Sequence, residues 1–430
     1  MSTDGAVGRR MHALMEELFP ICRSITGDGV RQTLASIGQR IPLEVHEVPS
    51  GTQVLDWTVP DEWNIRDAYV AATGGERVID FRASNLHIVN YSEPVHATMS
   101  LEELKPHLHT HADRAEWVPY RTSYYTRTWG FCLSQAALKS LADGEYDIRI
   151  DSTLEPGCLT YGECVLRGER ADEILITTHV CHPSLANDNL SGIALLTELG
   201  VAIAALPRRF TYRLLFVPGT IGSITWLARN EGALDAVVGG LVVACVGDSA
   251  PIHYKRSRRG DSPIDRAAAY ATWLRGGSIG DFVPWGWDER QFNSPGFDLG
   301  VGCLSRSREG EYAEYHSSAD DLDLVRPEQL QDALDTTLEI LDVLEANRTY
   351  VNLAPKGEPQ LGRRGLYPAT GGETAREEQL AMLWVLNQSD GTASVLDVAE
   401  RSGLSFRVIS EAAIRLKGAG LLADLGEAAR

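Results

Sequence analysis

The chain has 430 residues, of which 43% are hydrophobic and 23% charged, so it has enough apolar material for two or three domains. Acidic residues outnumber basic ones by 59 to 40, and the net charge of −19 argues against nucleic acid or an anionic membrane as the main partner. The sequence has no apolar run of about 18 residues, so we predict no membrane span. Its first residues lack the pattern of a signal peptide. Seven scattered cysteines without CxxC pairs predict reduced thiols and a cytoplasmic protein.

The first third of the chain changes character near residue 44. Apolar residues recur at helical spacing over 9–41, with an interruption at Pro20 and the turn that follows it. Short alternating runs, bounded by glycine, proline and aspartate, fill residues 44–152. They predict a β-rich accessory domain inserted after the first helices.

From residue 154 onward, apolar strands alternate with helices. We predict strands over 174–178, 212–217 and 241–246, and helices over 191–206, 223–230 and 327–347. This alternation indicates an α/β fold with a doubly wound mixed sheet. In such sheets, ligands and catalytic groups collect beyond the carboxyl ends of the strands.

The last segment predicts a winged-helix domain. A linker rich in proline and glycine over 351–373 is followed by helices over 375–387, 395–402 and 406–419, with a short turn between the last two. Residues 371–430 contain six basic and nine acidic side chains, a net charge of −3. A DNA-reading helix needs a basic surface, so we expect a packing or dimer-contact role. The predicted domains are 1–43 with 153–350 (α/β), 44–152 (accessory), 351–373 (linker) and 374–430 (winged helix).

A compact motif after the first α/β strand offers metal ligands. His179, His182 and Asp188 lie within ten residues, between an apolar strand and a helix. Imidazole nitrogen and carboxylate oxygen are the ligands that zinc prefers besides thiolate. The alternative is two ordinary loop histidines and a helix-capping aspartate. The density of the cluster favours a metal site.

Two later residues extend this prediction. Asp248 follows the apolar strand 241–246, at the end where the sheet rule expects function, and His316 precedes the last helix. Alone, Asp248 reads as a turn aspartate and His316 as a structural histidine. Together with the motif, they give His, Asp, Asp and His on successive loops of one sheet.

At this point the sequence resembles a known family. Residues 150–347 resemble the zinc aminopeptidases in which two metals share a bridging aspartate. The whole chain is similar to aminopeptidase-like proteins with an inserted β domain and a C-terminal winged helix, which are often associated with polysaccharide or natural-product biosynthesis. The matching segments are 18–31, 120–125, 179–192, 288–291 and 314–320. The resemblance implies that His179 (or His182), Asp188, Asp248 and His316 are the metal ligands.

The chain departs from that family at one important place. Where the active di-zinc enzymes have a Glu-Glu pair, this chain has Gly219-Thr220. The first missing glutamate is the family's general base and the second is a zinc ligand. The residue two after His179, usually an aspartate that orients the imidazole, is Cys181. We therefore expect one tightly bound zinc and a second site that is weak or absent.

Other acids are candidates for the missing base. Glu311 and Glu314 lie close to His316 in sequence, and His182 is a third candidate; losing a base costs about 10²–10⁴ in rate. Alternatively, the two glutamates pair with Arg306 or Arg308.

For substrate binding we predict Asp288, Glu289 and Arg290, whose acids suit an amine and whose guanidinium suits a carboxylate. Tyr124, from the accessory domain, is expected to close over the pocket, although it and its neighbours are equally suited to packing.

The histidine-rich run at His107, His109 and His111 also resembles a metal site, but we expect none there, because it lies in the accessory region.

The leading hypothesis is a zinc-dependent, aminopeptidase-like amide hydrolase, acting on a small aminoacyl or peptide-like substrate in a biosynthetic pathway. The alternative is a binding or scaffold protein that keeps the metal pocket but has lost turnover. A homo-oligomer is compatible with either hypothesis.

Overall fold

The computed structural model of this protein describes residues 5–366 and 373–425. The chain forms two compact units, residues 1–338 and 339–430. Among the described residues, no helix combines the length and apolar character that crossing a bilayer requires.

A mixed sheet of eight strands forms the centre of the first unit. In spatial order its strands are Glu44–Pro49, Cys158–Leu166, Thr211–Val217, Glu173–His179, Val237–Val243, Val301–Ser305, His253–Lys255 and Ser278–Gly280. The four strands from Thr211–Val217 to Val301–Ser305 are parallel, and on each side the next strand pairs with them antiparallel. Every residue of Glu173–His179 is buried, as expected for a strand covered on both faces. This confirms the predicted α/β fold with a mixed sheet.

The helices of this unit follow the predicted alternation. Its α-helices are Ala6–Leu18, Asp28–Gly38, Leu101–Leu104, Gln135–Ser140, Ser191–Ala204, Ile221–Asn230, Pro263–Leu274, Glu289–Phe292 and the start of Pro327–Ala346. A short π-helical turn, Ala186–Leu190, leads directly into Ser191–Ala204. The predicted helix 9–41 is divided in two, because Pro20 and the glycine turn end the first half.

The accessory region is built on a four-stranded antiparallel sheet. Its strands, in spatial order, are Arg77–Asp80, Glu62–Ala72, Glu145–Glu155 and Val95–Ser100. Two small pairs, Gln53–Val54 with Trp57–Thr58 and Leu108–His109 with Phe131–Cys132, lie outside it. One hydrophobic core continues from this sheet into the central sheet, with the buried Trp63 among its members.

One strand differs from the prediction. Glu44–Pro49 was assigned to the accessory domain, yet it pairs along its full length with Cys158–Leu166 at the edge of the central sheet. The alternating pattern correctly indicates a strand, but alternation alone does not specify which sheet the strand joins.

The second unit contains the winged helix. A three-stranded sheet, in the order Asp390–Ser394, Thr349–Asn352 and Leu422–Asp424, accompanies helices Glu373–Gln388, Val395–Ser402 and Phe406–Gly418. Thr349–Asn352 is therefore a strand of this sheet, although we placed its last two residues in a linker. The rest of that linker includes residues 367–372, which lie outside the described residues.

Candidate functional site

The site lies where parallel strands of the central sheet end. Glu173–His179 ends at His179, whose partner in the next strand is Val217, and Val237–Val243 lies on the other side. The carboxyl ends of these strands therefore meet at one edge, as the sheet rule requires. The loops that leave them carry the motif residues from 180 to 190 and Gly219.

Three imidazole rings converge on the carboxylate of Asp188. Nε2 of His179 lies 2.8 Å from Oδ1, whereas Nε2 of His316 and Nδ1 of His182 lie 3.0 and 3.3 Å from Oδ2. Ligand atoms of His179, His182 and Asp188 all lie within 4.8 Å of one another. The structure thus brings together four of the five residues predicted as metal ligands.

Burial and mutual attraction set the charges in this cluster. Burial alone would raise the pKa of Asp188, but the nearby His182 and hydrogen bonds from the histidines hold this pKa well below its ordinary value. Burial lowers the pKa of His179 and of His316, which favours the neutral imidazole that binds metals. Burial acts to lower the pKa of His182, but the charge of Asp188 and the hydrogen bonds to it together raise this pKa above its ordinary value.

The fifth predicted ligand, Asp248, does not meet the imidazoles. Its Oδ2 accepts hydrogen bonds from the Asn187 side chain at 2.8 Å and from the Ser307 N–H at 3.3 Å, and its Oδ1 accepts one from the Ala250 N–H at 2.7 Å. Both oxygens are therefore occupied by donors of the chain. Asp248 instead fixes Asn187, the residue immediately before Asp188, because its loop turns the carboxylate toward that side chain.

Asp320, which we did not predict, holds the backbone of the Asp188 turn. It accepts hydrogen bonds from the N–H groups of Asn187 at 2.5 Å and Asp188 at 3.0 Å, and from the Tyr312 hydroxyl at 3.0 Å. Burial raises the pKa of this carboxyl to about 7. Its only sequence signal is the Ser-x-x-Asp pattern after His316.

Arg23 is a second residue that the sequence did not reveal. It is fully buried, and its guanidinium donates to the carbonyl of His182 at 2.8 Å and to that of Leu18 at 2.7 Å. The N-terminal helix hairpin thereby fixes the loop that carries His182. On the opposite side of the cluster, the Asn189 amide lies 3.2 Å from Nδ1 of His179. Asn189 therefore contacts the imidazole where the resemblance implied an aspartate at position 181.

The accessory region reaches the cluster through one loop. The N–H of Tyr120 donates to the carbonyl of His316 at 2.8 Å, and the N–H of Ser318 donates to the carbonyl of Val118 at 2.8 Å. The Tyr120 ring meets His182 and His316 edge-on, with ring centroids 5.2 and 5.1 Å apart. Tyr124 contacts the cluster only indirectly, through a 2.7 Å hydrogen bond between its hydroxyl and that of Tyr120.

The two glutamates predicted as catalytic lie at the periphery. Glu311 is exposed and lies 3.5 Å from Arg308, which matches the ion pair given as its alternative. Glu314 is half-buried, and its backbone carbonyl accepts a hydrogen bond from the Ser317 hydroxyl at 2.8 Å. Arg306 pairs instead with Asp332 at 2.5 Å.

Asp288 lies beside the position of the missing glutamates. A Cβ atom added to Gly219 would stand 3.2 Å from Cβ of His179 and 3.3 Å from Oδ2 of Asp288. The Asp288 side chain is fully buried; its Oδ1 accepts a 2.7 Å hydrogen bond from the Ser223 hydroxyl, while Oδ2 has no partner among the described residues. Burial and, to a lesser extent, Glu289 raise the pKa of Asp288 to about 7.

A cavity of about 310 Å³ opens next to this segment and is lined by Trp285, Trp287, Glu309 and Lys255, among others. Lys255 donates to Oε1 of the buried Glu289, whose Oε2 lacks a partner within residues 5–366 and 373–425. Oε2 of Glu309 is also unpartnered in the described part of the chain. Burial, then the charges of Glu289 and Asp188, raise the pKa of Glu309. One lining carboxylate, Glu309, and the buried Glu289 bonded to the lining Lys255 therefore have open acceptor sites among the described residues.

The residues of the cluster fit a divalent transition metal. His179, His182 and Asp188 supply two nitrogens and one oxygen, the number and type of ligands of a catalytic zinc site with one open position. The Asn189 amide contacts His179, and Asp320 accepts a hydrogen bond from the backbone N–H of Asp188, so both residues support the candidate ligands as outer partners do in established metal sites. His107, His109 and His111 form no such group: their rings contact, respectively, Trp129, Arg121 and the turn at 113–114.

Comparison with known proteins agrees with this architecture. A family described as a domain of unknown function, DUF4910, matches residues 12–347, and one described as winged helix-turn-helix matches 348–424. A protein of Clostridium acetobutylicum is 53% identical over 418 residues, 96% of each chain; its provisional name is polysaccharide biosynthesis protein with aminopeptidase-like domain. These matches confirm the resemblance and the winged helix inferred from the sequence.

Solved structures give the same result for the fold. A crystal structure from C. acetobutylicum, provisionally named a peptidase, is 51% identical, covers 98% of this chain and 97% of its own, and has a TM-score of 0.93. A zinc aminopeptidase from Bacillus subtilis is 13% identical, covers 77% of this chain and 94% of its own, and has a TM-score of 0.56. The latter similarity establishes a shared aminopeptidase fold.

Proposed function

Because the chain belongs to the DUF4910 family and has an aminopeptidase fold, we propose that it is a zinc-dependent amide hydrolase for small aminoacyl or peptide-like substrates. The observation that carries the proposal is the convergence of three imidazoles on one buried aspartate at the carboxyl edge of the sheet. His179, His182 and Asp188 would hold one zinc, with His316 contacting the second oxygen of Asp188. A zinc bound there supplies a Lewis acid for the scissile carbonyl and lowers the pKa of water to about 7.

The cavity next to the segment that carries Asp288 supports the substrate class. Glu309 lines it and has a carboxylate oxygen without a partner in the described ranges, which suits a substrate amine. Glu289, bonded to the lining residue Lys255, and Arg290 each have a further unpartnered atom among the described residues. Trp285 and Trp287 provide apolar walls. The relative's name, which refers to polysaccharide biosynthesis, supports a biosynthetic role for this chain. A cytoplasmic location belongs to the proposal and is supported by seven free cysteines.

Metal analysis and turnover test the proposal together. We expect about one zinc per chain and chelator-sensitive release of nitroaniline from aminoacyl nitroanilides. Asp188→Asn should weaken zinc binding by more than about 100-fold, beyond the range typical for outer partners of a ligand. Asp151→Asn, an accessory-sheet carboxylate paired with the exposed Arg66, is the matched control and should change neither property. A zinc-loaded wild type without turnover on a broad substrate panel would favour the binding-protein alternative.

A further inference from the structure

The proposed hydrolysis requires a group that takes a proton from water, and Gly219 cannot provide one. A suitable group must lie beside the cluster, must have an open acceptor atom, and must be held in place. Asp188 is occupied by the imidazoles, and Asp248 and Asp320 accept hydrogen bonds from backbone and side-chain donors on both oxygens. Among the acids described around the site, Asp288 meets all three requirements.

The geometry points to Asp288 as the proton-accepting catalytic residue, in place of the glutamate that Gly219 replaces; this inference rests on the proposed function. The absence of a side chain at Gly219 makes room for the Asp288 carboxylate. An added Cβ there would stand 3.3 and 3.7 Å from its two oxygens and 3.2 Å from Cβ of His179. A side chain at position 219 would therefore contact both His179 and the Asp288 carboxylate, and this carboxylate reaches the position from a different loop.

The surroundings of Asp288 leave one oxygen open. Ser223 donates to Oδ1, which fixes the plane of the carboxylate, and Oδ2 has no hydrogen-bond partner in the described ranges although the side chain is fully buried. A buried acceptor without a donor is costly unless a ligand or water satisfies it. The open oxygen is therefore suited to a water molecule beside the cluster.

Two helices keep this arrangement rigid. Ser223 lies in the first turn of Ile221–Asn230, which begins just after Gly219-Thr220. Asp288 precedes Glu289–Phe292, and its carbonyl accepts from the N–H of Gln291 at 2.9 Å. Phe292 packs against Trp226 of the first helix, with ring centroids 6.1 Å apart. The loop of Gly219-Thr220 and the proposed replacement, Asp288, are therefore held in a fixed position relative to each other.

The proton balance of the reaction is simple. Asp288 accepts a proton from water while the water oxygen bonds to the amide carbon. The carbon–nitrogen bond then breaks, and the proton passes from Asp288 to the leaving amine. The immediate products are a carboxylic acid and an amine, and Asp288 is ionised again after the second transfer; the acid then gives its proton to the amine, which leaves a carboxylate and an ammonium ion.

Asp288→Asn in the full-length, zinc-loaded protein tests this inference with three measurements. We expect kcat to fall by about 10²–10⁴, while zinc affinity, from competition with a chromophoric chelator, stays within about threefold of wild type because the ligands are intact. The third measurement uses an aminoacyl hydroxamate, whose hydroxyl would donate to Oδ2 of Asp288. Calorimetry should show that it binds Asp288→Asn about tenfold more weakly than it binds the wild type. Asp151→Asn serves as the matched control, and Glu311→Gln tests the rival base.

The outcomes separate this inference from the proposed function. The inference is wrong if kcat is unchanged in Asp288→Asn, or if kcat falls by about 10²–10⁴ in Glu311→Gln alone. It is also wrong if Asp288→Asn loses zinc affinity tenfold, because Asp288 would then be a ligand. Failure of the zinc-loaded wild type to bind the hydroxamate would also overturn it. A wild type that binds the hydroxamate through Asp288 but hydrolyses no substrate would refute the activity and support the placement of Asp288.

Discussion

At the scale of single residues, the cluster of imidazoles around Asp188 depends on a buried side chain that lies outside it. His182 contacts Asp188 with its ring, but its backbone is positioned by Arg23, which lies about one hundred and sixty positions earlier in the chain. The guanidinium is buried, bridges two carbonyls and carries a pKa that burial lowers to about 10. A lysine ammonium group in place of this planar guanidinium would lose one of the two carbonyl contacts.

Arg23→Lys should therefore weaken zinc binding by about tenfold, the lower end of the range for outer partners of metal ligands. The side chain would no longer reach both the Leu18 and His182 carbonyls, so the His182 loop would sample more conformations. Competition titration with a chromophoric chelator measures the effect. Arg66→Lys, in an exposed ion pair of the accessory sheet, is the control. Equal zinc affinity in a folded Arg23→Lys protein would contradict this role.

The sequence indicates which residues cluster better than it indicates which residues support them. His179, His182 and Asp188 lie within ten residues, so one strand end and one turn suffice to bring them together. Asp320 and Arg23 act across more than one hundred residues, and local patterns carry no information about such distances. For Asp248, the preceding strand is predicted over 241–246 and observed over Val237–Val243, and its carboxylate accepts a hydrogen bond from Asn187, a contact that depends on side-chain packing.

At the scale of elements, Arg31 ties together a helix and both sheets. It lies on Asp28–Gly38 and contacts Glu62 of the accessory sheet at 2.6 Å and Glu47 of the central sheet at 2.7 Å. Hydrogen bonding to Arg31 is the main cause that lowers the pKa of Glu62 to about 2. Because the folded state lowers this pKa, the stabilisation is complete above the unfolded value of 4.5 and is lost as pH falls toward 2.

Glu62→Gln should lower the free energy of unfolding at pH 7 by about 1.5–3 kcal/mol, the usual contribution of a hydrogen bond to a charged group. The difference from wild type should shrink as pH falls from about 4 to about 2, because protonated Glu62 no longer attracts Arg31. Urea denaturation at several pH values measures this difference. Glu76→Gln, in an exposed turn of the accessory region, should have little effect at any pH. A pH-independent difference would contradict the assignment.

Two helical glycines make a matched pair for packing. A Cβ at Gly8 would stand 2.1 Å from the Pro327 carbonyl oxygen, where the first helix meets the start of a later one. Gly8→Ala should therefore destabilise the fold by about 1–3 kcal/mol. At Gly38 the nearest atom would be 3.9 Å away, and Gly38→Ala should stabilise by about 0.5–1 kcal/mol. Urea denaturation of both variants decides whether helix contact or helix propensity dominates; effects of the same sign would contradict this interpretation.

At the scale of the whole molecule, charge limits what the winged helix can do. Helix Phe406–Gly418 carries three basic residues, and each has an acidic neighbour: Arg407 lies 3.8 Å from Glu411, Arg415 lies 2.9 Å from Glu378, and Lys417 pairs with Asp424. The net charge of −19 adds a repulsive field for phosphate. Shared architecture with DNA-binding proteins is therefore no argument for that activity here.

We expect no retardation of duplex DNA in a gel-shift assay at about 50 mM salt, a condition that favours phosphate contacts. The basic residues of helix Phe406–Gly418 have acidic neighbours, and the chain as a whole is strongly acidic. Few phosphate contacts can therefore form, so little counterion release is available to drive binding. A basic winged-helix protein run beside it provides the positive control. Salt-dependent retardation of the DNA would contradict this prediction.

The fold as a whole was largely predictable, because apolar runs and turn residues specify the type of each element. Strands near 174–178 and 212–217 and helix 395–402 were found within one or two residues. The boundary between sheets was not predictable, since Glu44–Pro49 joins the central sheet while its alternating pattern suits either one. Pairing partners depend on the three-dimensional course of the chain, which no local window contains.

The bridge between Pro119 and Ser317 has a consequence for engineering and for evolution. Residues 50–157 look like a removable insertion, yet their loop supplies the backbone partner of His316 and the ring that packs on two histidines. A minimal protein trimmed to the central layer would lose the backbone partner of His316 and the ring that packs on His182 and His316. A homologue with a shorter insertion would need another segment to make these contacts.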